Sequence, residues 1–297
     1  MASIDSPAAA RRRLRLALRK ARDASGLTQG EVAEALDWSV SKVNRIENGE
    51  VTVSLTDVRA LLALLRVTDN AAVEELTSDA RTARKRGWWD DPRYRANVTS
   101  ASLQLIQYEA EATAIRTYQP TLIPGVLQTP EYASTILDFW TQLSPEARTV
   151  RREVRARRGK QLFDGPDGPT YLLILDESVV LRQPGGFSVM AAQLHSVLEA
   201  TRNPKVHVRV IPLTEGGIYA LQGDFIILDL SEDENAILYR EAALTDNLTD
   251  AREIVDRYRQ TFEQMWQLAL TEDESKRLIG ATAAAMLASL DRVRRHG

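Results

Sequence analysis

The sequence predicts an all-α module of short helices, followed by an α+β domain with a small mixed sheet and C-terminal helices. Up to about residue 86, apolar residues recur with helical spacing in short segments that are separated by capping residues or glycine. From about residue 170, apolar runs of strand length alternate with helical patterns. A length of 297 residues suits two domains, at about 150 residues each.

The first two helices are predicted from an apolar stripe and a capping signal. Residues 8–24 place apolar side chains on one helix face, and Ser25-Gly26 ends the pattern. This stripe consists of Leu14, Leu16, Ala17 and Ala21. Residues 28–31 read TQGE, a capping box in which the Thr28 hydroxyl bonds the Glu31 amide and the Glu31 side chain reaches back. We expect the second helix to begin at this box.

Three further helices are predicted from their N-cap residues. Ser39 is suited to cap the third helix, and Gly49 supplies the left-handed residue that ends it. Ser54 caps a fourth helix, whose body reads VRALLALLRV, and Asp69 opens a fifth. Five short helices in the first third of the chain predict a compact all-α module.

The rest of the chain is interpreted as a connection followed by the α+β domain. Strand character is found in four segments, at 170–182, 206–213, 223–230 and 235–241. The last two are joined by SEDE, which suits a hairpin loop, and helices are expected over 188–202 and at the C-terminus. The predicted bounds are 8–86 for the helical domain with its core at 12–67, 87–120 for a connecting segment, and 121–297 for the α+β domain.

Composition excludes several kinds of site. The chain has no cysteine, so disulfides, thiolate zinc sites and cysteine nucleophiles are excluded. Its three histidines are too scattered for a metal site, and we expect no metal and no cofactor. No apolar run approaches the ~18 residues of a membrane span. Because Arg15, Arg19 and Lys20 interrupt the apolar core that an export signal needs, we expect a cytoplasmic protein with no membrane contact.

Charge is distributed unevenly along the chain. The formal net charge is −3, yet residues 1–66 carry 11 Lys and Arg against 8 Asp and Glu. Residues 11–22, RRRLRLALRKAR, contain seven basic residues and no acid. A basic front end on an acidic body is typical of nucleic-acid contact, but a solvated helix face explains the same pattern equally well.

The third predicted helix separates into two faces. On a helical wheel Val43 and Ile46 continue the apolar face of Leu36, so we expect them in the core. The positions left outward are Val40, Ser41, Asn44 and Arg45, which form two i,i+4 pairs in one stripe. Arginine binds guanine and asparagine binds adenine through two hydrogen bonds each, while valine suits a thymine methyl group. The sequence therefore predicts that this stripe reads base edges in a major groove.

Residues at the starts of the second and third helices are candidates for phosphate contact. A helix N-terminus presents free amide groups and the positive end of the helix dipole, which suit a phosphate. The predicted phosphate-binding residues at these helix starts are Thr28, Gln29 and Ser39. Two helices joined by about four residues, with the second facing outward, form a helix-turn-helix.

The string GLTQGEVAEALDWSVSKVNRIENG at 26–49 combines cap, core period, turn and terminator at consistent spacing. With it, residues 12–67 resemble a helix-turn-helix domain of the Cro/repressor (XRE) class. The resemblance implies a lambda-repressor-like fold, double-stranded DNA as the partner and a location at the nucleoid. It also implies that Gln29 and Lys42 contact phosphates, that the outward stripe faces bases, and that Glu47 supports the domain's own structure.

The chain departs from that class at two places. Relatives often carry basic and proline residues after the position of Gly49, where this chain has EVTVS, so a DNA-backbone contact from this loop is in question. Asp37 takes the place of a common glycine in the turn between the second and third helices.

Most of residues 87–241 resembles a narrower group. The strings RGWWDD, YEAEATAIRTYQPTLIPGVLQTPEYA, LDESVVLRQPGG and VRVIPLTEGGIYALQGDFIILDL are similar to the uncharacterised C-terminal domain of actinobacterial regulators of the WhiJ-like kind. The resemblance implies a transcriptional regulator of development or antibiotic production, often encoded beside a small partner protein. We expect a homodimer whose second domain responds to a partner protein or a ligand. The alternative is an antitoxin-like protein that mainly binds and neutralises its small partner.

Two further features have both a structural and a functional interpretation. Trp88 and Trp89 either fix the connecting segment by packing or form a partner or dimer surface. Residues 148–160 contain seven basic residues and one acid, and the arginines at 148, 151, 152, 155 and 158 share one helix face. Solvation or pairing with acids is the default for such a face, and contact with DNA or an acidic partner is the alternative. Arg151 and Arg155 therefore join the tryptophans as candidates for a partner surface.

An enzymatic second domain is the third hypothesis. Asp176 and Glu177 follow a strand end, where catalytic acids often lie, but a strand-terminating acidic turn explains them as well. No nucleophile elbow and no phosphate-binding loop accompany them. We expect a protein that is not an enzyme.

Overall fold

The computed structural model describes residues 7–49, 51–85, 87–165, 168–230, 236–241 and 246–296. The chain divides between Asp90 and Asp91 into two compact units, each with its own hydrophobic core. Within the described ranges, no helix is long and apolar enough to cross a membrane.

The first unit is all-α, as predicted. Its helices are α1 (Pro7–Ser25), α2 (Gln29–Ala35), α3 (Val40–Glu47), α4 (Leu55–Leu64) and α5 (Asn70–Thr82), followed by a short 3₁₀ turn at Trp88–Asp90. The predicted N-caps all accept a backbone hydrogen bond through their side chains: Thr28, Ser39, Ser54 and Asp69. Local capping chemistry therefore places the starts of four helices.

Apolar faces of the five helices meet in the core of the first unit. It contains Leu14 and Leu18 of α1, Val32 and Ala33 of α2, Val43 and Ile46 of α3, Val58, Leu61 and Leu62 of α4, and Ala80 of α5. Helix α1 contacts α3, α4 and α5, which makes it the central support of the module.

The basic segment of α1 is largely used inside this unit. Its arginines pair with carboxylates: Arg11 with Asp90 at 3.5 Å, Arg13 with Asp79 at 2.5 Å, and Arg22 with Glu47 at 2.6 Å. Arg12 and Arg15 are buried, whereas Arg19 and Lys20 are exposed. Five of the seven basic residues are therefore paired or buried within this unit, and Arg19 and Lys20 are the two that are exposed.

The second unit is built on a mixed sheet, as predicted. Its described strands are β1 (Ala112–Gln119), β2 (Thr170–Asp176), β3 (Val206–Ile211), β4 (Phe225–Leu230), β5 (Ala236–Arg240) and β6 (Asn247–Thr249). They lie in the order β3-β2-β1-β4-β5-β6, with β1, β2 and β3 parallel and the other neighbours antiparallel.

Helices cover both faces of this sheet. They are α6 (Pro92–Asn97), α7 (Ser100–Glu109), α8 (Pro130–Phe139), α9 (Pro145–Phe163), α10 (Glu177–Leu181), α11 (Gly186–Ala200), α12 (Leu213–Gly216), α13 (Arg252–Leu268) and α14 (Glu272–His296). One face packs with α11 and α14, and the other packs with α13. Alternate strand residues enter the two cores, so that Leu173 and Ile174 belong to different ones.

The second unit begins earlier than the predicted bound at residue 121. The expected connecting segment, 87–120, supplies α6, α7 and β1, and β1 lies in the sheet between β2 and β4. Its strand nature depends on partners at 170–176 and 225–230, which lie far away along the chain. The segment 170–182 begins as a strand, as predicted, and this strand ends at Asp176, where α10 begins.

The predicted antiparallel pair at 223–230 and 235–241 is present as β4 and β5. Ile226 is opposite Tyr239, and Asp229 is opposite Ala236. The hairpin loop expected at SEDE lies outside the described residues.

Candidate nucleic-acid interface

The capping box fixes the start of α2. Thr28 Oγ1 accepts a hydrogen bond from the Glu31 amide at 3.2 Å, and Glu31 Oε2 accepts one from the Thr28 amide at 2.8 Å. The backbone bond from Thr28, followed by the one from its hydroxyl, lowers the pKa of Glu31. The carboxylate is therefore held in its charged form beside the positive end of α2.

A tight left-handed turn joins α2 to α3. Asp37 has φ of 54°, at the position where the related class often has glycine. Aspartate is one of the residues that adopt this conformation with little strain. The Trp38 amide then donates to the Ala33 carbonyl at 2.8 Å, and Ser39 Oγ caps α3 by accepting from the Lys42 amide at 3.1 Å.

Helix α3 is anchored by its inner face. Val43 and Ile46 are 2% and 3% exposed, as the helical wheel predicts. Gly49 follows the helix with φ of 73°, and its amide donates to the Ile46 carbonyl at 3.1 Å. A side chain at Gly49 would be strained by this φ and would lie close to Arg15 Cδ.

The outer face of α3 is exposed to solvent. Val40 is 54% exposed, and the side chains of Ser41, Asn44 and Arg45 are exposed too. All the predicted base-reading residues are therefore accessible, on a helix whose opposite face is packed in the core.

A hydrogen-bond network ties this outer face to the start of α2. Asn44 Nδ2 donates to Gln29 Oε1 at 3.4 Å, and Asn48 Nδ2 donates to Asn44 Oδ1 at 2.9 Å. Gln29 Nε2 donates in turn to Glu47 Oε2 at 2.7 Å. The other Glu47 oxygen accepts from Arg22 Nε at 2.6 Å. The network therefore links a buried ion pair to a side chain of the exposed stripe.

Glu47 is the centre of that network and is 6% exposed. Its hydrogen bond raises the pKa of Arg22, in spite of the opposing effect of burial, so the guanidinium group remains charged. This geometry matches the supporting role that the resemblance implies for Glu47.

The predicted phosphate-binding residues are all engaged within the first unit. The hydroxyls of Thr28 and Ser39 serve as helix caps, and Gln29 is bonded to Glu47. Lys42 Nζ lies 3.1 Å from Asp57 Oδ1 and 3.5 Å from the centroid of a Trp38 ring. The sequence did not predict that Trp38 and Asp57 contact Lys42, although the position of the tryptophan directly before the N-cap Ser39 can be seen in the sequence.

The predicted partner-surface residues differ in exposure. Trp88 is half-buried and Trp89 is 6% exposed, with their rings packed edge to face at 5.9 Å. In the second unit, Arg151 Nε donates to the Asn97 carbonyl at 3.0 Å. Burial, and then the neighbouring Arg158, lowers the pKa of Arg155 to about 10. Packing and internal bonding therefore account for much of this set.

The acidic pair at the end of β2 has structural partners. Asp176 Oδ1 caps α10 by accepting from the Ser178 amide at 2.9 Å. Glu177 Oε2 accepts from the Leu213 amide at 2.9 Å. In the part of the chain that the structure describes, no group of three or more His, Cys, Asp or Glu is placed to hold a metal ion.

Comparison with known families identifies both units. A family model described as a helix-turn-helix domain matches residues 13–76, which include α2 and α3, and this match supports a DNA-binding regulator. A second model, described as a domain of unknown function (DUF5753), matches residues 102–281. No curated protein and no solved structure matches the chain. Since the second match covers more than half of the 297 residues, the chain belongs to the DUF5753 family and carries a helix-turn-helix domain before the domain that defines it.

Proposed function

We propose that the protein is a sequence-specific regulator of transcription that inserts α3 into the major groove of DNA. The observation that carries this proposal is the exposed stripe of Val40, Ser41, Asn44 and Arg45 on a helix whose opposite side is buried. A rigid helix with short polar side chains and one arginine matches the shape and hydrogen-bonding pattern of that groove.

Asn44 retains the hydrogen-bonding capacity that this role requires. Its amide nitrogen has two hydrogens and its oxygen has two lone pairs, and the network uses one of each. One hydrogen and one lone pair remain for the N7 and N6 groups of an adenine. The network then acts as a support that orients the amide before DNA arrives, which reduces the entropy lost on binding.

Phosphate contacts in this proposal come mainly from the start of α2. Thr28 and Gln29 lie where the helix presents free amides and its positive dipole end. Ser39 has the same position on α3. These contacts position the recognition helix, and the exposed stripe supplies sequence preference.

The direct test is selection of bound sequences from a randomised DNA duplex pool with the full-length protein. The proposal expects a short recovered motif, protected in footprinting as two half-sites about 34–36 Å apart or a multiple of that distance, because we propose a homodimer. Recovery of sequences without any preference would remove the assignment of α3 as a reading helix. A single half-site would remove the dimer and leave the reading helix intact.

We further infer that the second unit acts by binding a partner protein or ligand and not by catalysis. Asp176 and Glu177, its candidate acids, are occupied with backbone amides. Phe139 is 79% exposed and Trp140 is 42% exposed, with their rings 5.8 Å apart at the end of α8. Exposed paired aromatics are typical of interaction surfaces, which supports a protein partner.

The biological setting that we propose is control of development or secondary metabolism, with a small partner encoded by a neighbouring gene. An antitoxin-like role, in which neutralising that partner is the main task, is the second candidate. Co-purification with the product of the neighbouring gene, using wild type and the Phe139→Ala/Trp140→Ala variant, tests the partner. Loss of the complex in the variant supports this surface, and an unchanged complex places the partner elsewhere.

A further inference from the structure

Lys42 has an environment that is unusual for a phosphate-binding lysine. Its ammonium group lies 3.1 Å from Asp57 Oδ1 and 3.5 Å from the centroid of a Trp38 ring. The side chains of Lys42 and Asp57 are only 37% and 26% exposed. An ion pair and a cation–π contact therefore hold the same charge at the edge of the recognition helix.

Each partner of Lys42 is placed by a helix end. Trp38 directly precedes Ser39, the N-cap of α3, so the turn between α2 and α3 fixes the backbone position from which the indole ring extends. Asp57 lies in the first turn of α4, where its own amide donates to Ser54 Oγ at 3.0 Å. A carboxylate in the first turn of a helix is stabilised by the helix dipole. The Asp57 carboxylate therefore interacts favourably with the start of α4 as well as with Lys42.

We propose that Asp57 is a specificity-determining residue that withholds Lys42 from DNA phosphates. This inference rests on the proposed DNA-binding function and revises the expectation that Lys42 contacts a phosphate. A lysine increases DNA affinity for any sequence by releasing counterions from the duplex. An ion pair between a lysine and a carboxylate has no net charge, so it releases almost no counterions from the duplex.

A phosphate that replaced Asp57 as the partner of Lys42 would not restore the affinity that the lysine would otherwise contribute. If Lys42 turned toward a phosphate, the Asp57 carboxylate would remain on α4, beside the same negative group. Like charges at that distance repel, and the repulsion opposes the gain from the lysine. The pair therefore lowers affinity for all DNA, and the part of the binding energy that comes from the base-reading stripe becomes larger in proportion.

The test uses full-length Asp57→Asn, which keeps the size of the side chain and removes its charge. Binding to a random-sequence duplex and to the selected duplex is measured between 50 and 200 mM salt. We expect the slope of log K against log salt to become steeper by about 0.9 for each bound subunit, the value of one added phosphate contact. The added contact strengthens binding to both duplexes. The binding free energy of the random duplex is smaller at the start, so it increases by the larger fraction.

Three matched variants make the result specific. Lys42→Gln in the wild-type background is expected to leave the slope unchanged, because the lysine is already neutralised. Asp57→Asn with Lys42→Gln is expected to return the slope to the wild-type value. Glu75→Gln makes the same change in charge on the exposed surface of α5 and is expected to leave the slope close to that of the wild type.

An unchanged slope in Asp57→Asn would overturn the inference, provided that wild type binds DNA with a measurable slope. A slope that is less steep by about 0.9 for each bound subunit in Lys42→Gln alone would overturn it too, because the lysine would then already bind a phosphate. If Glu75→Gln steepened the slope as much as Asp57→Asn does, the change in net charge alone would explain the effect. That result would also overturn the inference. Wild type that binds no DNA at any salt concentration contradicts the proposed function itself, which is a separate result.

Discussion

Helices α3 and α9 present the same kind of pattern in the sequence and opposite surfaces in the structure. Both carry a polar face with arginine, and both were candidates for contact with DNA or a partner. In α3 the polar stripe is exposed and the apolar side is buried. In α9 the arginine face is drawn into the second unit, where Arg158 makes two hydrogen bonds to buried Glu109, at 2.6 and 2.8 Å.

The difference lies in what each helix packs against. Gly159 brings α9 so near to the backbone of Val126 that a side chain there would lie 2.6 Å from its carbonyl oxygen. Such close packing surrounds the neighbouring arginines with protein, and they are tolerated because acids and carbonyls accept their hydrogen bonds. The pattern of charge on a helix therefore indicates a polar face but not whether that face is outside.

The largest expected effect is on protein stability, and it distinguishes the enclosed Arg158 from an exposed arginine. Glu109→Ala leaves Arg158 buried without its partner, and we expect a loss of about 3–5 kcal/mol in the free energy of unfolding of the second unit. Calorimetry of the full chain measures this loss. Glu199→Ala is the matched control because its partner Arg202 is 79% exposed, and we expect a change of at most about 1 kcal/mol. Similar small losses in both variants would mean that α9 presents a solvated face.

Arg45→Ala tests the exposed half of the comparison. We expect a loss of about 1–3 kcal/mol of discrimination at one base pair of the recovered site, because an arginine that binds a guanine edge loses both hydrogen bonds. Binding to single-base variants of the site measures it. Arg152→Ala, on the arginine face of α9, is the control and should leave every base preference unchanged. A uniform loss across all base variants would make Arg45 a phosphate contact instead.

The features of the first unit that the sequence predicted correctly are local ones. The bond from the Lys42 amide to Ser39 Oγ and the left-handed Gly49 each depend on residues a few positions away. Periodicity then assigned Val43 and Ile46 to the core without knowledge of their partners. The predicted roles of the exposed stripe in reading DNA stay predictions.

The features that the sequence did not predict depend on distant residues. Glu109 and Arg158 are 49 positions apart, and β1 becomes a strand between partners that begin more than 50 residues later. Tertiary context decides such positions, since neither β-propensity nor a helical wheel contains the identity of the partner. The Lys42–Asp57 pair connects two different helices in the same way.

A pair of N-cap substitutions has a smaller expected effect, and the two sites are closely matched in chemistry. Ser39 and Ser144 cap α3 and α9 through the same bond, to the amides of Lys42 and Ala147 at 3.1 Å each. Replacing either serine by alanine should cost about 1 kcal/mol in the stability of its own unit. Only Ser39→Ala should also weaken binding to the selected DNA, as measured by fluorescence anisotropy. Equal weakening by Ser144→Ala would indicate that the stability of the second unit controls the recognition helix.

The smallest expected effect concerns Asp224, a half-buried carboxylate of the second unit. Burial, and then the neighbouring Glu241, raises the pKa of Asp224 to about 6, from an ordinary value of ~3.9. Because the folded state then holds this proton more tightly, the stability that Asp224 contributes is complete below the ordinary pKa. It is lost as the pH rises through about 6.

Asp224→Asn imitates the protonated side chain at every pH. We therefore expect the variant to equal wild type near pH 4 and to exceed it at pH 7 by less than about 1 kcal/mol, since solvent screens a partly exposed group. Urea unfolding at both pH values measures the difference, with Asp273→Asn as a control for the same change in charge at an exposed position of α14. Equality with wild type at pH 7 would mean that solvent screens Asp224 as fully as it screens the stripe on α3, in contrast to the buried pair of Glu109 and Arg158.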